Sequence, residues 1–154
     1  MKNSLSRLAL AAAALTLPIV AVSPATSLAT IGSAQSAKVA LSRSALGRIL
    51  VDSQGRTLYL FEKDKRGRSA CASTCATYWP PLLTHGKPAA SQGVKGSLLG
   101  ITHRAGGLAQ VTYAGHPLYR FVQDTRTGQT KGQDLQEFGA SWYVLSATGK
   151  KIGH

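Results

Sequence analysis

Gly55-Arg56-Thr57-Leu58-Tyr59-Leu60-Phe61-Glu62-Lys63-Asp64 recurs 60 positions later as Gly115-His116-Pro117-Leu118-Tyr119-Arg120-Phe121-Val122-Gln123-Asp124. Both stretches carry Tyr-x-Phe-x-x-Asp. Self-similarity at a fixed offset marks an internal repeat, and the rest of the chain is read from it. Backwards from the motif, Val39 and Leu41 align with Leu99 and Ile101, Gly47 with Gly107 and Val51 with Val111. The alternation in Val39-Ala40-Leu41 and Leu99-Gly100-Ile101 suits half-buried strands. Glycine-bearing turns follow at 44–47 and 103–107, then second strands at 49–51 and 108–113. Tight turns at 52–55 and 114–116 lead into a third strand that holds the motif.

Forwards from the motif the copies differ in length but share a plan. In the first, Ser69 is placed to cap a short helix through Tyr78, ended by Pro80. In the second, residues 132–139 suggest one helical turn closed by Gly139. Both then reach a tryptophan and an apolar run, Trp79-Pro80-Pro81-Leu82-Leu83 and Trp142-Tyr143-Val144-Leu145-Ser146. The predicted fold is all-β with one or two short helical turns. Two pseudo-symmetric four-strand repeats, 38–84 and 97–147, form a small sandwich or barrel within a single domain over 38–149.

The ends read differently. Lys2 and Arg7 precede an apolar stretch over 8–22, and Ser27-Leu28-Ala29 offers small residues for cleavage, the pattern of a secretory signal peptide over 1–29. Pro18 breaks the stretch, which falls short of the ~20 apolar residues of a membrane span. No cysteine lies near it, so the expected product is soluble and not lipidated, in the periplasm or outside the cell. Residues 30–37 read as a flexible leader and 150–154 as a tail.

Beyond residue 29 the chain holds 16 Lys and Arg against 6 acids, a net charge of +10. Lys63, Lys65, Arg66 and Arg68 form the densest basic patch. An excess of this size attracts anionic cell-envelope polymers or lipid headgroups. The patch lacks the interleaved aromatics of a single-strand binder, and export directs the chain away from nucleic acid.

Positions two apart in a strand share a face, so Tyr59 with Phe61, and Tyr119 with Phe121, point the same way. Each aromatic buries ~150–250 Å², which assigns them, with Trp79 and Trp142, to the core. Asp64 and Asp124 then open the following turns by accepting backbone N–H bonds, and Asp64-Lys65-Arg66-Gly67 fits a type I turn. The competing reading has the two carboxylates share a ligand or metal across the pseudo-two-fold.

Taken together, Tyr59-x-Phe61-x-x-Asp64, Ser69-x-Cys71-x-x-x-Cys75-Ala76-x-x-Trp79-Pro80-Pro81 and Tyr119-x-Phe121-x-x-Asp124 with Trp142 resemble the bacterial secreted-repeat proteins of unknown function. These are described as predicted lipoproteins with a Tyr-x-(Phe/Trp/Tyr)-x-x-Asp motif. The resemblance covers roughly residues 39–147 and implies a bacterial envelope or secreted protein. It carries no activity and no catalytic residues, and the missing lipidation cysteine departs from its pattern.

Cys71 and Cys75 are the chain's only cysteines. In an exported chain such a pair forms a disulfide. On a helix the two would lie about 6 Å apart along the axis, near the limit for a bond. The loop is too small to restrict the unfolded chain much. A redox couple or a soft-metal thiolate site is the alternative reading of the same pair. His85, His103, His116 and His154 form no zinc pattern, and no Gly-x-Ser-x-Gly elbow places a nucleophile. No cofactor motif and no catalytic constellation is present, so a non-enzymatic binding or structural module leads. An enzyme with a site between the repeats is left without a named nucleophile or base.

Overall fold

The structure, a computed structural model, describes residues 35–91 and 93–153. The segment expected to be a signal peptide (1–29) and most of the expected leader (30–37) lie outside the described residues. The first half contributes β1 (Lys38–Ser44), β2 (Gly47–Asp52), β3 (Tyr59–Phe61), the helix α1 (Thr74–Tyr78) and β4 (Ala89–Ala90). The second contributes β5 (Leu99–His103), β6 (Ala109–Tyr113), β7 (His116–Pro117), β8 (Gln136–Glu137) and β9 (Ala140–Val144).

Each repeat opens with an antiparallel hairpin, as the alternation predicts. In β1–β2, Val39 lies opposite Asp52 and Ser44 opposite Gly47; in β5–β6, Leu99 lies opposite Tyr113 and His103 opposite Ala109. The fold is all-β with short helical turns, built as three small sheets ordered β2-β1-β4, β5-β6-β7 and β3-β9-β8. Among the described residues there is no closed barrel. Closure needs one continuous staggered ladder, and strands of two to seven residues separated by tight turns do not supply it.

The strand expected to hold the second motif stops at Pro117, and the two motif segments meet at one isolated bridge, where Tyr59 N–H donates to the Tyr119 carbonyl at 2.8 Å and Tyr119 N–H returns the bond at 3.0 Å. Around it the repeats exchange their last segments. Leu82, after Trp79, donates to Leu118 and accepts from Val111, both at 2.9 Å. β9, which carries Trp142, pairs with β3, placing Tyr59 opposite Val144 and Phe61 opposite Trp142. Each repeat therefore completes the other's sheet, and neither can bury its motif alone.

Both faces of the motif segments are covered. Tyr59, Phe61, Tyr119 and Phe121 enter one core cluster with Trp79, Trp142, Ile49, Val51 and Val144. Leu58, Leu60 and Leu118 enter a second with Val39, Leu50, Leu82, Val111, Tyr113 and Leu145. All four motif aromatics thus lie in one cluster, although Tyr119 and Phe121 stand outside any strand.

Three local expectations are corrected. Helix α1 starts at Thr74 and has no side-chain cap; Ser69 is drawn instead into contacts with the second repeat. Residues 132–139 form no helical turn, because Gln136-Glu137 pairs with Ala140-Ser141 in a hairpin. Its corner is Phe138-Gly139, with φ of 57° and 88°, a left-handed pair in which a bulky Phe stands where Asn or Gly is usual. The supposed tail returns to the core. Ile152 donates to Val144 and packs against the first cluster, and Lys151 pairs with Glu62. At the other end Ala37 donates to Thr84 Oγ1 at 2.9 Å, so the leader is tethered by its last residue.

Candidate functional site

The repeated Tyr-x-Phe-x-x-Asp is wired crosswise. Tyr59 Oη donates to Asp124 Oδ2, and Tyr119 Oη donates to Asp64 Oδ2 at 2.8 Å. The tyrosine of each repeat is thus held by the aspartate of the other. The remaining oxygens close local loops: Asp64 Oδ1 accepts Ala70 N–H at 2.7 Å, and Asp124 Oδ1 accepts Lys131 N–H at 3.0 Å. Each aspartate also ends a turn by donating its own N–H to the carbonyl of Phe61 or Phe121. The type I turn expected at Asp64–Gly67 is replaced by a turn one residue later, whose two positive φ values are those of type I′. Arg66 and Gly67, with φ of 52° and 72°, form the corner of a small hairpin from Lys65 to Arg68.

Behind these bonds the aromatic rings interleave. Phe61 stacks on Trp142 at 4.0 Å, Trp142 on Trp79 at 3.9 Å, and Trp79 on Phe121 at 4.3 Å, so successive rings alternate between repeats. Tyr59 and Tyr119 meet the two indoles edge-on, at 5.3 and 5.1 Å. This edge contact suits the ring quadrupoles. Glu137 takes both indole N–H groups, Trp79 on Oε2 at 2.8 Å and Trp142 on its carbonyl at 3.3 Å. Gly132 passes so close that a Cβ would lie 2.6 Å from Trp79 Cη2, which is why this position has no side chain.

Burial raises the Asp64 carboxyl to about 6, against the opposing pull of Ala70 N–H, the Tyr119 hydroxyl and the Arg104 charge. Burial also raises Asp124, opposed by the Tyr59 hydroxyl and Lys131 N–H. The Tyr59 and Tyr119 hydroxyls are pushed above their ordinary range, first by burial and then by the facing carboxylates, so both stay donors at neutral pH. Both oxygens of each aspartate are thus engaged within the fold, one of them across the repeats.

A pH dependence follows from the raised Asp64 value. The folded state keeps this proton when the unfolded chain has lost it, so stability is full below the unfolded value of 3.8 and falls as pH rises through about 6. His116, whose pKa burial lowers, acts in the opposite sense and masks the trend in the wild type alone. The stability difference between wild type and Asp64→Asn removes that background. It should shift toward the wild type as pH falls from about 7 to about 4 in parallel urea titrations. A difference independent of pH would show that Asp64 does not titrate in this range.

A second constellation went unread in the sequence. Asp52, 2% exposed, accepts the N–H groups of Gln54 and Arg56 on Oδ1, and Arg56 Nε and Arg120 Nε on Oδ2 at 3.1 and 2.7 Å. Burial alone would raise its pKa, but those N–H bonds and the Arg120 charge outweigh it and hold the carboxyl below its usual range. The Asp52–Arg56 spacing is a legible signal. Arg120, 68 residues away, is not.

Cys71 and Cys75 are buried and joined, with Cα atoms 5.3 Å apart. Only Cys75 lies in α1, which removes the purely helical geometry expected for the pair. In this form neither sulfur is a thiolate ligand. Of the basic patch, Lys63 turns away and donates to the Phe138 carbonyl at 3.1 Å. Lys65, Arg66 and Arg68 stay on the exposed hairpin, where His103 and Arg104 of the second repeat join Arg68. Arg104 donates through Nη1 to Ser69 Oγ at 2.5 Å and Gln110 Oε1 at 2.8 Å, and through Nη2 to the Cys71 carbonyl at 2.5 Å.

Among the described residues no group of three or more His, Cys, Asp or Glu could hold a metal, and no helix is long and apolar enough to cross a membrane. A family model described as a secreted repeat of unknown function matches residues 41–83 and again residues 100–146, one match on each repeat. No curated protein and no solved structure matches the chain.

Proposed function

We propose, from the premise that this chain belongs to the family of secreted repeats of unknown function, that it is a non-enzymatic basic module binding anionic polymers of the cell envelope. One observation carries this reading: the fold draws Asp52, Asp64 and Asp124 into internal contacts and leaves most of its cations outside. Asp52, Asp64 and Asp124 are spent on buried or half-buried contacts, and Glu62 and Glu137 on Lys151 and the Trp79 indole. The ion pairs within the fold take up Arg56, Arg120 and Lys151. Most of the 16 Lys and Arg beyond residue 29 therefore face solvent without an internal counter-charge. Such a surface concentrates polyanions around it through long-range attraction, and no shaped catalytic site is needed.

Salt tests this directly. Between about 0.01 M and about 0.15 M ionic strength the Debye length shortens from about 30 Å to about 8 Å. Co-sedimentation of the purified module with a phosphate-bearing wall preparation should be strong at the lower limit and largely lost at the upper. Retention that ignores salt, or no retention at either, would remove the electrostatic account.

A further inference from the structure

We infer that the cleft between the Lys65–Arg68 hairpin and the Arg104 turn is a binding site for a phosphate ester, the group through which the module grips its polymer; this rests on the polyanion reading and gives it an address. The cleft has a volume of about 510 Å³, and its lining includes Arg68, Ser69, Ser73, His103, Arg104 and Leu108. No carboxylate lines it.

Its cations differ in kind. The half-buried Arg104 is fixed by three neutral acceptors, Ser69 Oγ, Gln110 Oε1 and the Cys71 carbonyl. Gln110 is itself fully buried and anchored on the Leu118 carbonyl at 2.8 Å. A guanidinium in such a setting is ordinarily paired with a carboxylate. Here Asp64 acts on Arg104 through its charge alone and is hydrogen-bonded elsewhere. The result is a preorganised positive group at the cleft wall, with N–H donors left over. The Arg68 guanidinium, on an exposed residue that also lines the cleft, makes no side-chain hydrogen bond or ion pair within the described fold. A fixed and a free guanidinium on one cleft suit a tetrahedral oxyanion, which accepts forked N–H pairs from both.

The disulfide fits the same picture. Only the first repeat has one, and Cys71 both belongs to the bridge and offers its carbonyl to Arg104. The bridge therefore clamps the cleft wall, a feature that the second repeat lacks and has no need to hold.

The experiment compares two variants that each remove one exposed positive charge, Arg68→Ser in the cleft and Arg43→Ser on β1. Glycerol phosphate binding is followed by backbone amide shifts, and polymer retention is measured in parallel. Arg68→Ser should weaken glycerol phosphate binding about tenfold, the equivalent of one charged hydrogen bond. Arg43→Ser should change it less than about twofold. Arg104→Lys, which keeps the charge but loses the fork, should also weaken it while circular dichroism shows the fold intact. Equal losses at Arg68 and Arg43 would overturn the site yet leave the polyanion module standing. So would absent glycerol phosphate binding alongside salt-sensitive retention. Retention lost in Arg68→Ser on wall polymer supports the site with a polymer source. The same loss on phosphatidylglycerol vesicles supports it with a lipid source.

Discussion

Trp142→Ala is expected to lower stability by about 3–5 kcal/mol, the range for emptying a buried aromatic site. Trp142 is fully buried between Phe61 and Trp79, with Tyr119 on its edge, and it sits on the strand that the second repeat lends to the first. The variant leaves a hole in the middle of the ring stack, at the seam between repeats. Because each repeat completes the other's sheet, the loss should appear as one urea transition at lower midpoint with an unchanged slope. Far-UV circular dichroism reads this without relying on the deleted indole. Two separated transitions would mean that the repeats fold independently, and a cost under about 1 kcal/mol would deny the stack its central place.

Asp52→Ala should cost about 3 kcal/mol, the lower end of the range for breaking a buried ion pair. The lower end applies because the Arg120 side chain is 25% exposed and Arg56 38%, so water partly solvates the cations left behind. The substitution strips four hydrogen bonds at once, two of them from the turn that feeds the first motif strand. Asp52→Asn should retain part of the turn and fall between the two. The effect should also shrink with acid, because this carboxyl has a lowered pKa: its stabilisation is present above the unfolded value and is lost as pH falls below it. An Asp52→Ala protein as stable as the wild type at pH 7 would show that Arg120 is not held by this contact.

Much of this was open to sequence reading. The 60-residue echo of Tyr-x-Phe-x-x-Asp announced two like units, and period-two alternation put Tyr59 with Phe61 and Tyr119 with Phe121 on buried faces. The hairpins at the front of each repeat followed from alternation and glycine turns. Other features were hidden because their partners are remote. Ser69 looked like a helix cap, and only folding brings Tyr119 and Arg104 to its hydroxyl. Phe138 occupies a left-handed corner that its residue type argues against, held in part by Lys63 from the other repeat. Ile152 looked like a loose end, but its N–H donates to the Val144 carbonyl and its own carbonyl accepts from the Gln133 side chain.

The amino-acid order by itself determined the repeat, the strand faces, the aromatic core and the cationic excess, since each depends on local spacing or on a simple count. Only the tertiary structure decided which tyrosine meets which aspartate and whose closing strand completes whose sheet. The physical reason is degeneracy. Two copies of one motif offer every aspartate two chemically equal tyrosines, one in its own repeat and one in the other. Local pattern cannot choose between them. The choice falls to the path of the loops and to the single backbone bridge between Tyr59 and Tyr119, which sets the two motif segments side by side and points each hydroxyl at the opposite turn.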